Sequence, residues 1–207
     1  MGLRLYCIKI SVLFVCSQAA VRAQPLEVRL ARDLLTEVNR LRRDPPRYAE
    51  HLGQWSKGGQ GLVTVQHWLR HIQPLPVLRR VPALDQAARG LIPQPFTVTT
   101  LTEQLQRYGQ WEGHASANRS QGLTDARAIV THWLLDQGQP QGPNRTNLLN
   151  PLFRVAGVAC ARRPQMTCVL TLAGGYHAKP TRSTPRPPRL SSPAPPPKAP
   201  TPAASPK

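Results

Sequence analysis

The sequence predicts an α+β fold on three observations: helical periodicity dominates the earlier part of the chain, a two-cysteine hairpin pattern closes it, and proline and glycine clusters separate the elements. Its 207 residues allow one domain with flanking tails, since compact domains run to roughly 100–200 residues. Hydrophobic residues make up 40% of the chain, enough for a core, while 23 prolines mark stretches that cannot join one.

The first helix is expected between Gln24 and Arg43, where Leu30, Leu34, Leu35, Val38 and Leu41 recur at helical spacing and Arg29, Arg32, Glu37 and Arg40 take the other face. Pro45-Pro46 ends it, and the second proline opens a short helix that runs to Gly53. Further helices are expected from Val63 to Ile72, Pro82 to Leu91, Leu101 to Tyr108 and Thr124 to Gln137, and a strand near Ala115 to Arg119. Cys160 and Cys168 flank ARRPQMT, with Val155 and Val158 before them and Val169, Leu170 and Leu172 after. The midpoint of the pair falls on Pro164, so a symmetric hairpin sets the cysteines opposite each other, in reach of a disulfide in an oxidising compartment. No further cysteine or nearby histidine completes a metal set there.

Both ends read differently from this middle. Residues 1–23 begin with Arg4, continue as an apolar run from Ile8 to Ala20, and finish on Val21-Arg22-Ala23, the pattern of a secretory signal peptide. The apolar run is shorter than the roughly 20 residues that span a bilayer, which disfavours the competing reading of an uncleaved anchor. Val15 is too bulky for the usual lipoprotein site before Cys16. Residues 179–207 hold 11 prolines, six basic residues and no acid, so a disordered, partly polyproline-II tail is expected, either as a solvated spacer or as an anchor to anionic cell-surface polymers.

The formal charge is +17, which suits polyanionic partners in general. Setting aside three basic residues in the leader and six in the tail leaves 18 against 10 acids in the expected domain, 24–178. No segment alternates aromatic and basic residues as single-strand nucleic-acid readers do, and a secreted chain has little occasion to meet nucleic acid. No transmembrane span is expected once the leader is removed.

At Arg107-Tyr108-Gly109-Gln110-Trp111, and again from DARAIVTHWLLDQGQPQGPNRTNLLNPLFRVAGVAC to MTCVLTLAGGY, the chain resembles the CAP superfamily of cysteine-rich secretory, antigen 5 and pathogenesis-related 1 proteins. LLTEVNRLRRDPPRYAEHL and PLPVLRRVPALDQAARG fall in that family's order, so the resemblance covers most of residues 26–176. It implies an α-β-α sandwich, an extracellular setting and a cleft on the central sheet.

In that family the cleft holds two histidines and two acids, a set able to bind a divalent cation. The resemblance places Leu91 at the first histidine, Ala117-Asn118 at the family's Glu-Asn pair and Asn144 at the second histidine, leaving Asp136 as the acid that remains. One carboxylate cannot hold zinc, which takes about four ligands, so no metal or other cofactor is expected. A rearranged set of His114, His132 and Asp136, with Glu112 nearby, is the competing reading and would make the protein metal-dependent or a hydrolase. Ser116 and Ser120 have no evident base and no strained nucleophile turn, so no catalytic residue is assigned and no enzyme is expected. The expectation is a secreted, non-enzymatic binding module for an extracellular lipid, polysaccharide or protein. Trp111, Arg145, Asn147 and Asn150 read as structural, Asn118 and Asn144 each fit the glycosylation pattern, and the tryptophans read as core or cleft wall.

Overall fold

The computed structural model describes residues 24–55, 60–136 and 142–180, so the expected leader and nearly all of the expected tail lie outside the described residues. The elements run α1 (Leu26–Arg43), α2 (Pro45–Trp55), α3 (Gln60–Leu69), β1 (Arg79–Arg80), α4 (Pro82–Leu91), α5 (Val98–Tyr108), β2 (Gly109–Gln121), α6 (Ala126–Leu135), α7 (Pro143–Leu149), β3 (Val155–Arg162) and β4 (Met166–Ala178). The architecture is α+β.

Local chemistry sets several boundaries. α5 starts earlier than its periodicity suggests because Thr97 and Thr100 form a reciprocal capping box. α6 begins after Asp125, whose side chain accepts the Ala128 N–H at 2.8 Å, and gives way to Asp136 in the left-handed region at φ 44°. β2 is far longer than the expected stretch at 115–119. It continues back to Gly109 through a bulge between Glu112 and Ala115, where Gly113 sits at φ 65°.

The sheet order is β1-β3-β4-β2, with β1 parallel to β3 and the other pairs antiparallel. Cys160 faces Cys168 in the hairpin register, and the two are joined by a disulfide. Alternation along the strands gives the sheet two apolar faces. Ala156, Val158, Leu170 and Leu172 meet Leu34, Val38 and Leu41 of α1 and Ile129, Val130 and Trp133 of α6. Val155 and Ala173 meet Leu84 and Ala87 of α4 and Leu105 of α5, while Ala159 and Val169 meet Ala88 and Leu91. Helices therefore cover both faces, the α-β-α layering. Each fully buried leucine contributes roughly 1.5–3 kcal/mol relative to exposure.

α4 lies unusually close to β3. A methyl group at Gly157 would run into the backbone of Leu84 and Asp85, so the position needs glycine for the approach. Polar bonds fix the contact: Asp85 Oδ1 accepts the Val158 N–H at 2.8 Å, and Thr171 Oγ1 donates to Leu84 O at 3.1 Å.

Three arginines hold helix ends whose carbonyls have no partner within the helix. Arg42 is fully buried and donates to Leu148 O at 2.7 Å and Asn150 O at 3.1 Å beyond α7, and to Pro76 O and Phe153 O. Burial first, and the Arg154 charge second, bring its guanidinium down to about 10. Arg145 does the same for α6, donating to Leu134 O at 2.6 Å and Leu135 O at 3.2 Å. Arg119 of β2 donates to Leu91 O at the end of α4 and to Gln94 O at 2.9 Å.

Candidate functional site

Leu91 closes α4 and is 0% exposed, packed with Ala88, Ile92, Ala117, Ala159 and Val169. Two of the five expected cleft positions, 91 and 117, therefore meet in one apolar cluster. Arg119 straps the following segment to β2, its guanidinium lying 4.7 Å from the centre of the Phe96 ring. Burial lowers the Arg119 pKa from its ordinary value.

Asn118, the next residue on β2 after Ala117, turns the other way, as neighbouring residues of a strand do. Its Nδ2 donates to Asn144 O at 3.0 Å, and its Oδ1 accepts from Asn147 Nδ2 at 2.8 Å. Asn144 in turn belongs to Asp136. The Asp136 carboxylate accepts the backbone N–H groups of Asn144 at 2.9 Å and Arg145 at 3.3 Å through one oxygen, and Asn144 Nδ2 at 2.9 Å through the other. A buried acid from the end of α6 thus caps the first turn of α7, a role its own N-cap residue, Gly142, has no side chain to fill. Gly142 also packs against that carboxylate so closely that a Cβ there would overlap it.

The five positions fall into two groups on the two sides of β2: Leu91 with Ala117 among alkyl groups, and Asn118, Asp136 and Asn144 in a hydrogen-bonded chain. Asn147 touches both, since its Nδ2 also approaches Ala117 O at 3.5 Å. Asn118 is fully buried with its amide engaged, which leaves it no room to carry a glycan in this fold.

The competing set does not converge. His114 is exposed on the β2 bulge, and His132 is exposed on α6 beside an open groove of about 530 Å³ shared with Asp125, Arg127 and Thr131. Among the described residues, no group of three or more histidine, cysteine, aspartate or glutamate side chains is placed to hold a metal ion. Glu112 instead meets His177 Nε2 at 2.5 Å on the exposed rim of β2 and β4.

The tryptophans divide. Trp133 is core, its Nε1 donating to Arg119 O at 3.0 Å, while Trp68 is 41% exposed with Arg145 5.8 Å from its ring centre. Trp111 is half-buried and lines a groove of about 470 Å³ with Gln106, Gln110 and Lys179. The side chain of Trp55 lies outside the described residues.

A second groove of about 470 Å³ opens where α1 passes into α2, lined by Arg40, Arg43, Asp44, Arg47, Tyr48 and His51. Tyr48 is its buried floor, donating to Glu37 Oε1 at 3.0 Å, and burial together with the Glu37 charge raises its pKa well above the ordinary phenol value. Sequence reasoning placed Arg40 on the polar face of α1 and passed over the rest. The available signal was the cluster of four arginines, Arg40, Arg42, Arg43 and Arg47, around the Pro-Pro helix junction.

No family model and no curated protein matches the chain. Among solved structures it is similar to a cysteine-rich secretory protein from Staphylococcus aureus, at 15% identity and a TM-score of 0.45 over 72% of this chain and 39% of that one. It is also similar to an extracellular protein containing an SCP domain from Bacillus anthracis, at 17% identity and a TM-score of 0.43 over 71% of this chain and 41% of that one. Both likenesses are distant, and the chain spans about two fifths of the length of these two proteins.

Proposed function

We propose that the protein is a divergent, secreted CAP-type domain that acts by binding an extracellular partner and not by catalysis, its central cleft filled. The observation that carries this reading is the state of the expected site. Leu91 sits in the core where the resemblance calls for a histidine, and the surviving acid, Asp136, has its carboxylate committed to the start of α7. A carboxylate that already accepts three N–H groups is a poor metal ligand, because binding a cation would strip a buried helix end of its cap. Support for the family comes from the sequence resemblance over residues 26–176 and from the helix-sheet-helix layering. Support for an extracellular setting comes from the leader pattern and the disulfide. No helix among the described residues is long and apolar enough to cross a membrane.

The test is calorimetric titration of the full chain with zinc, alongside His132→Ala. This reading expects no stoichiometric heat from either protein. One zinc per chain, lost in His132→Ala, would replace it with the rearranged site of His114, His132 and Asp136.

A further inference from the structure

We infer that the groove between the end of α1 and the start of α2 binds a small polyanion, a sugar-sized molecule bearing at least two sulfate or phosphate ester groups. The inference stands on this groove alone and does not depend on how the cleft is read.

Arg40 and Arg43 come from the last turn of α1 and Arg47 from the first turns of α2, so a single helix junction brings three guanidinium groups around one concavity of about 470 Å³. That volume lies within the range of about 300–1,000 Å³ typical of small-ligand sites. Arg43 and Arg47 are exposed, and neither side chain makes an ion pair or hydrogen bond among the described residues. Glu50, one turn along from Arg47, forms no ion pair with it. Arg40 is shared with Glu37 at 3.4 Å, but that carboxylate is buried behind it and is also held by the Tyr48 hydroxyl. The acid in the lining, Asp44, accepts the Arg47 backbone N–H at 3.1 Å as the cap of α2. The opening therefore presents two uncommitted guanidinium forks and a third partly neutralised one, with His51 beside them.

Planar forks of this kind bind sulfate and phosphate oxygens in pairs, which distinguishes them from the point charge of lysine. The shape argues for a soluble ligand over a bilayer. The lining holds no exposed aliphatic or tryptophan side chain to enter a membrane, and the large exposed apolar residues, such as Val28, Val63, Phe96 and Val98, are not part of it.

The experiment is calorimetric titration of the full chain with sucrose octasulfate and with fructose 1,6-bisphosphate, neutral sucrose serving as blank. It is repeated on Arg43→Ala/Arg47→Ala and on Arg89→Ala/Arg163→Ala, which removes the same charge from exposed sites elsewhere and leaves residues 179–207 untouched. The groove variant is expected to bind about tenfold more weakly or worse, and the control within about threefold of the unmodified chain. The probe whose affinity falls by the larger factor in the groove variant assigns the ligand class, sulfated or phosphorylated, because that ratio cancels the octasulfate's greater general attraction to a basic chain. Equal losses in both variants, or no binding of either probe, would overturn the inference. Thermal melts of both variants check that each is folded.

Discussion

On one side of β2, the side chains of Leu91 and Ala117 are held by alkyl packing; on the other, those of Asn118, Asp136 and Asn144 are held by a chain of hydrogen bonds running from the sheet through α7 to the end of α6. The five expected cleft positions are thus built into the fold by two physical routes. The apolar side gains burial and depends on volume. The polar side gains satisfied helix-end groups and depends on geometry, so the two should respond differently to substitution.

Leu91→Ala should have the largest effect. It removes a fully buried side chain from a cluster whose other members are mostly small, and a loss of about 2–5 kcal/mol in denaturant stability is expected. A loss below about 1 kcal/mol would mean that position 91 borders a cavity able to collapse or to hold a ligand. Asp136→Ala should cost somewhat less, about 1–3 kcal/mol, because it strands N–H groups at the start of α7. Amide hydrogen exchange sharpens the contrast. Asp136→Ala should speed exchange in α7 selectively, whereas Leu91→Ala should raise it across α4 and the sheet. Gly142→Ala should reproduce the α7 pattern in weaker form, since its new methyl displaces the carboxylate.

The smallest expected effect concerns pH. Tyr176 donates to Leu105 O at 2.7 Å, and burial pushes its pKa up to about 12. A phenol whose folded-state pKa lies above its unfolded value of about 10 contributes stability that is whole below pH 10 and disappears as pH rises through about 12. The stability difference between the unmodified chain and Tyr176→Phe should therefore shrink between pH 10 and 12 in alkaline denaturation series. An unchanging difference would place Tyr176 in contact with solvent. Comparing the two proteins cancels the opposite contribution of Arg42, whose lowered pKa favours the folded state as pH rises.

Much of this fold was legible because its signals are local. Helical spacing in α1, Pro82 at the start of α4, and the symmetric cysteine pair around Pro164 each specify structure within a few residues. What escaped depends on distant partners. β1 is two residues long and exists because Arg79 and Arg80 align with Val155 and Ala156. α7 reads as a loop of amides, yet Pro143 sets its first turn and Asp136 caps it across a gap in sequence that periodicity cannot bridge. The arginine staples are equally silent in sequence: Arg42 looks like another charge on a helix already rich in them, and its carbonyl partners lie as far as 111 residues away. For the candidate site, the resemblance named the positions, but their separation onto two sides of β2 follows from strand alternation that only the long β2 register reveals.

The most direct measurement is an intact native mass spectrum of the protein purified from its own host. With Leu91 in the core and Asp136 capping α7, the account predicts a chain with its Cys160–Cys168 disulfide and neither a metal ion nor an organic molecule retained in the cleft. A stoichiometric zinc ion, or a tightly held organic ligand that Leu91→Ala or Asp136→Ala displaces, would contradict it.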